Sequence, residues 1–230
     1  MKNLGFDPDQ LIAQFSEASA RQGETLRRAV QEATLKALQG RELTLKNIKG
    51  ALKQVAEAAA MGAGQNPMGA DQMEPLLAKA VAGMDAALLQ AVEANRRALQ
   101  QLVDHGAGLR EKQVQKALDD IDQMEDMFFS TMRKSLGEAA GPMGGAWNQV
   151  LDKLQVKGSG TGAHAAQTIE ELTQQAQSAM RQGRAASVKA VGALLDSYAA
   201  LASGVLIGMA QGMQGDTSAP APAAKATRKK

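Results

Sequence analysis

Residues 71–104 read DQMEPLLAKAVAGMDAALLQAVEANRRALQQLVD, and the spacing within them decides the fold class. Leu77, Val81, Met84, Leu88, Ala91, Asn95, Ala98 and Leu102 recur at alternating intervals of four and three. That is the period of an α-helix with one apolar seam, packed on a neighbour as in a coiled coil. Asp71 with Glu74 reads as an N-cap and its reciprocal acid, and Pro75 as a first-turn residue whose missing N–H costs little. Asn95 is the polar member of the seam. Buried, it would fix register at some cost in stability; exposed, it would mark a turn facing water. His105-Gly106 closes the segment.

The same period extends in both directions. Asp7-Pro8-Asp9 is a helix start, and Leu11, Phe15, Ala18, Gln22, Leu26, Ala29 and Ala33 predict one helix ending near Gly40. A second helix from Thr44 carries Ile48, Leu52, Val55 and Ala59 on one face, completing an N-terminal helical region over 1–61. Residues 62–70, GAGQNPMGA, read as a breaker cluster and linker. Beyond the seam, Val114, Leu118, Ile121, Met124, Phe128, Met132 and Leu136 predict one helix over 109–139, broken by Gly141-Pro142-Met143-Gly144-Gly145. A short amphipathic stretch over 147–156 ends the central region, 71–157. Residues 158–163 read as a Gly/Ser-rich hinge before a long apolar helix over 164–215, and residues 216–230 as a disordered Ala/Pro/basic tail.

The C-terminal helix is apolar on two sides. One row runs from Ile169 and Leu172 to Ala200 and Gly204, and a second carries Val188, Val191, Leu195, Tyr198, Ala202, Val205 and Met209. At 100° per residue the rows lie roughly opposite one another. Ala200, Gly204, Gly208 and Gly212 form a small-residue ridge, intelligible if another backbone packs closely on it. The expected helix-packing residues are therefore Leu77, Val81, Met84, Leu88, Asn95, Leu102 and this ridge. The expected contacts to an apolar surface are Leu194, Leu195, Tyr198, Leu201, Val205, Leu206 and Met209. Residues 197–215 carry no charge and approach the length of a bilayer span. Gln211, Gln214, Ser197 and Ser203 favour packing or surface docking over insertion.

Composition bounds the rest. Alanine supplies 44 of the 230 residues, and the aromatics are Phe6, Phe15, Phe128, Phe129, Trp147 and Tyr198. Full burial of a Leu or Phe is worth ~1.5–3 kcal/mol and of an Ala much less. A thin core is expected, supplemented by long contacts, self-association or an outside apolar surface. There is no Cys, hence no disulfide framework or thiolate metal site. The N-terminus has no signal-peptide core, which points to a cytoplasmic protein, with inclusion or membrane association as the variant. Net charge is +2, and the tail's Lys225, Arg228, Lys229 and Lys230 leave the remainder at −2. Any nucleic-acid contact by that tail is weak and salt-sensitive.

No catalytic constellation is legible. His105 and His164 stand near helix ends without metal-ligand spacing. Asp119, Asp122, Glu125 and Asp126 form an acidic cluster, and Lys46, Lys49 and Lys53 share a face; both read first as solvated faces. Phosphate-binding loop, dinucleotide fingerprint and nucleophile elbow are all missing. The reading is an all-α bundle of long amphipathic helices, not an enzyme, with no catalytic residue, cofactor or metal.

The Ala-rich amphipathic helices over 11–38, 77–102 and 169–209, the absence of Cys and the scarcity of aromatics resemble those of phasins. So does the ending Ala219-Pro220-Ala221-Pro222-Ala223-Ala224-Lys225-Ala226-Thr227-Arg228-Lys229-Lys230. Phasins are small helical proteins that coat polyester granules in bacteria. The chain is also similar to alanine-rich helical proteins of proteobacteria without an assigned activity. The phasin resemblance implies binding to a polyester or lipid-like surface, and self-association. An oligomeric helical scaffold with a protein partner, and a membrane-associated helix packed through small residues, remain the alternatives.

Overall fold

The computed structural model describes residues 7–21, 23–39, 43–65, 70–104, 112–139, 144–181 and 198–215, and every element among them is a helix. The spacing from Leu11 to Ala33 predicts one helix, but the chain makes two, α1 (Pro8–Arg21) and α2 (Gly23–Leu38). The cap at Asp7 is present: its Oδ1 accepts from the Asp9 amide at 3.0 Å. Gly23, a residue that costs a helix interior about 1 kcal/mol, opens α2, and the two helices take different partners. α1 lies chiefly on α3 (Leu45–Gly64) and α2 on α4 (Ala70–Asp104).

Thr44 caps α3, its Oγ1 accepting from the Asn47 amide at 3.3 Å. The helix runs on to Gly64, into the stretch read as a linker, because Gly62 serves packing there. A Cβ at Gly62 would lie 2.8 Å from the Ile12 carbonyl oxygen and 2.9 Å from the Ser16 nitrogen. The backbones of α1 and α3 therefore touch. Gly83 does the same for α2 and α4, with a Cβ placed 2.4 Å from the Arg27 carbonyl oxygen.

α4 starts at Ala70, so Asp71 lies within the helix instead of capping it, and Pro75 stands in the second turn. There the proline removes the bond to the carbonyl of residue 71. All of Leu77, Val81, Met84, Leu88, Ala91, Asn95, Ala98 and Leu102 are buried, but so are Leu76, Ala80, Ala87, Val92, Ala94 and Leu99. A single seam would bury only the first set. α4 buries both because it runs through the middle of the molecule, against α2, α3, α5 (Lys112–Asp122), α7 (Gly144–Lys157), α8 (Gly160–Arg181) and α9 (Tyr198–Gly215).

The helix predicted over 109–139 is α5 and α6 (Met124–Ala139), interrupted at Gln123 alone. Backbone bonds from the Gln123 amide to the Asp119 carbonyl and from the Met127 amide to the Gln123 carbonyl, both 3.0 Å, carry across the break. α7 begins within the predicted glycine break and buries Trp147 completely. Arg133 of α6 holds α7 through Asp152 at 2.8 Å and Gln155 at 2.6 Å, and Lys153 of α7 pairs with Glu74 of α4.

The interior is not the thin one that composition suggests. One contiguous buried cluster extends from Leu11 to Leu206, with Trp147, Phe15, Phe128 and the leucines of α2, α3 and α4 at its centre. Alanine contributes by what it permits. Ala51, Ala56, Ala59, Ala87, Ala91 and Ala94 are wholly buried, so helices can approach closely and large side chains fill the space between them. Residues 182–197 and 216–230 lie outside the described residues, and with them Leu194, Leu195 and the tail; so does His105.

Candidate functional site

α9 is the helix on which the expected surface contacts fall. Its sequence, YAALASGVLIGMAQGMQG, has no charged residue and is the most apolar of the described helices. Its chief neighbour is α4. Ala202, Leu206 and Ala210 are buried, while Tyr198, Leu201, Val205 and Met209 are half-buried against the core. Positions 198, 201, 202, 205, 206 and 209 follow one another down one side of a helix. All five described members of the predicted apolar-surface set, Tyr198, Leu201, Val205, Leu206 and Met209, thus lie on the side turned to the body.

The small-residue ridge is on the other side. Ala200, Gly204 and Gly208 are exposed, and a Cβ on either glycine would meet nothing within 4 Å. The close backbone contact expected there is not made among the described residues. Gly212 lies in the last turn of α9.

One hydrogen bond in this contact joins side chains far apart in sequence. The Tyr198 hydroxyl donates to Asn95 Oδ1 at 2.7 Å, and Asn95 Nδ2 donates to the Ala91 carbonyl at 3.0 Å. Asn95 is therefore a buried, satisfied group whose partner comes from another helix of the same chain. Burial pushes the Tyr198 hydroxyl pKa up, and the charge of Asp120 pushes it further the same way. Tyr198 stays a neutral donor throughout the physiological range.

α8 is held differently. The predicted hinge contains its cap and first turn. Ser159 Oγ accepts from the Gly162 amide at 2.9 Å, as an N-cap serine does. Two carboxylates from other helices complete the cap. Asp85 of α4 accepts from the amides of Gly160 at 2.9 Å and Thr161 at 3.1 Å, and the Thr161 hydroxyl donates to the Asp85 carbonyl at 3.0 Å. Glu125 of α6 accepts from the Ser159 amide at 2.9 Å and its hydroxyl at 2.5 Å. Negative charge at the positive end of a helix is favourable, so residues 158–163 are an anchored helix start. The acidic cluster accordingly divides: Asp119, Asp122 and Asp126 are exposed, and Glu125 turns inward to α8.

One turn further on, His164 Nε2 lies 3.1 Å from Glu93 Oε2 of α4. Glu93 also accepts from Arg96 at 2.7 and 2.8 Å and from Arg97 at 2.7 Å. Arg96 reaches Glu171 of α8 at 3.9 Å. The Arg96 hydrogen bonds, aided by Arg97 and His164 and opposed by burial, hold the Glu93 carboxyl at about 2. His164 is thus part of an ionic joint between α4 and α8, which its position in the sequence did not signal. Lys46, Lys49 and Lys53 are exposed, with Lys53 3.6 Å from Glu57.

Among the described residues no group of three or more His, Asp or Glu side chains is arranged to hold a metal ion. Among the described residues one helical stretch, Met73–Asp104, is long and apolar enough to cross a membrane, and most of it is buried inside the molecule.

The family model described as a family of unknown function, DUF6781, matches residues 1–215, and the chain belongs to that family. No curated protein and no solved structure matches the chain.

Proposed function

We propose that this member of DUF6781 is a non-enzymatic protein that binds apolar granule or lipid-like surfaces through its amphipathic helices and associates with itself. The observation that carries the reading is α9: an uncharged, strongly apolar helix laid on α4 with one side exposed, and with a buried or half-buried row at Tyr198, Leu201, Val205, Leu206 and Met209. Interfacial affinity scales with the apolar area a helix can bury in the interface, and no other described helix offers so much without charge. The resemblance to phasins agrees with this role and with a cytoplasmic protein gathered on inclusions or membranes.

Two measurements test it. The purified chain floats with phosphatidylcholine vesicles or with polyhydroxybutyrate particles, and deletion of residues 198–215 abolishes that. A fluorescently tagged chain coats inclusions in polyester-accumulating cells. A diffuse cellular distribution together with no flotation overturns the proposal.

The exposed ridge Ala200-Gly204-Gly208 favours a second reading, an oligomeric scaffold. Open space above three small residues suits the backbone of a helix from another copy. In that case sedimentation and melting depend on protein concentration, and no surface binds.

A further inference from the structure

We infer that α9 is stored against α4 in an autoinhibited position, and that it must leave α4 to engage an apolar surface. This rests on the surface-binding role proposed above and concerns its control.

The argument begins with which side of α9 could hold a surface. Its outward side presents Ala200, Gly204, Gly208 and Gln211, two of which have no side chain and one of which is polar. Apart from the half-buried Ile207 at its edge, little apolar area can be buried there. The side chains that could be buried in an interface, Leu201, Val205, Leu206 and Met209, are on the side already turned to the core. Docking on α4 and docking on a surface therefore use the same face and exclude each other.

The contact with α4 is suited to release. Leu206, Ala202 and Ala210 are fully buried in it, and Tyr198, Leu201, Val205 and Met209 are largely covered, so what opening loses is apolar burial, which an apolar surface can replace. α9 has no charged side chain to hold it, whereas α8 is fixed by Asp85, Glu125 and Glu93. What α9 has instead is a polar latch, the Tyr198 hydroxyl on Asn95. Such a bond fixes the register of the docked helix. It adds a threshold to undocking, because opening uncouples a buried polar pair.

Tyr198→Phe tests this in the full chain. The ring stays and the donor goes, so the docked state weakens while the apolar face is kept. Backbone amides over 201–211 should exchange about tenfold faster with deuterium, with α4 amides unchanged, and binding to phosphatidylcholine vesicles or polyhydroxybutyrate particles should rise by up to the same factor. Asn95→Ala removes the acceptor and must act in the same direction, and the double variant must not add to either. Whichever of the two particles responds identifies the surface as lipid or polyester. Wild-type binding that neither substitution increases overturns the latch and leaves surface binding standing. No binding by any of the variants overturns surface binding, and the latch with it.

Discussion

Gly62 and Gly83 lie beneath the backbones of other helices, and no described residue lies over Gly204 or Gly208. All four stand within α-helices, Gly62 in the last turn of α3, and an interior glycine costs its helix about 1 kcal/mol against alanine. In the first pair that cost is offset by close contact: α1 meets α3 across Gly62, and α2 meets α4 across Gly83. In the second pair nothing among the described residues offsets it. The body and its last described helix are therefore built to different rules. In the body, small residues bring helices together; on α9 they face outward, opposite the row from Tyr198 to Met209.

The largest expected effect comes from filling the closest contact. In Gly83→Ala the new Cβ would stand 2.4 Å from the Arg27 carbonyl oxygen, and backbone cannot step aside as a side chain would. A loss of about 3 kcal/mol or more is expected, at the upper end of overpacking effects, with Gly62→Ala somewhat less damaging. Urea unfolding followed by circular dichroism measures it. An unchanged midpoint for Gly83→Ala would show that α2 and α4 are not in backbone contact and would remove one side of the contrast.

The joints of α8 and α9 sharpen the same contrast, because one is ionic and the other is not. Glu93 is held at about 2, against 4.5 for an ordinary glutamate, and its side chain is 13% exposed. The folded chain therefore binds this proton less readily than the unfolded chain does. The resulting stabilisation, on the order of 3 kcal/mol, is complete above pH about 4.5 and is lost as pH falls towards 2. Stability measured by urea unfolding between pH 6 and 2 should show this decline, and Glu93→Gln should flatten it. An equal slope in both proteins would mean that Glu93 is not the carboxylate responsible. The contact of α9 with α4, with no charge on α9, should not share this dependence.

A smaller effect belongs to the cap of α8. Ser159→Ala removes the acceptor for the Gly162 amide and the hydroxyl that donates to Glu125. A loss of about 1 kcal/mol is expected. Faster hydrogen exchange confined to the first turns of α8 would locate it. Exchange spread evenly over the molecule would instead mean that α8 unfolds only with the body.

How far these features were legible depends on whether they follow periodicity. The helical class and the buried row from Leu77 to Leu102 follow directly from spacing. The split of the first helix at Gly23, the entry of α3 into the glycine cluster and the capped start of α8 do not. Gly23 passes unnoticed inside a helical period, while the glycines at 62–64 and 158–162 read by their local meaning, as breaker or linker. Whether a glycine breaks a helix or admits a neighbour depends on what lies above it, which is tertiary information. Ser159 did carry a local signal, a capping residue before a helical run, but glycines at 158, 160 and 162 masked it. The last helix shows the converse: the spacing found its apolar face, while only the fold could show that α4 occupies it. The pairing of Asn95 with Tyr198, 103 residues apart, has no sequence signature.

The smallest effect is the most discriminating, because its sign should reverse between the two regions. Gly204→Ala and Gly208→Ala place a methyl group in open space on an exposed side of α9. Each should stabilise that helix by about 0.5–1 kcal/mol, whereas the same change at Gly62 or Gly83 destabilises the body. Hydrogen exchange of α9 amides reads the gain. If the two alanines instead weaken α9 or dissociate an oligomer, the ridge is a covered contact between copies, and the distinction between inward and outward glycines holds only for the isolated chain. If they slow exchange in α9 and leave the oligomeric state unchanged, the outer side is open in solution, and the affinity of this helix for a surface must come from the face it keeps against α4.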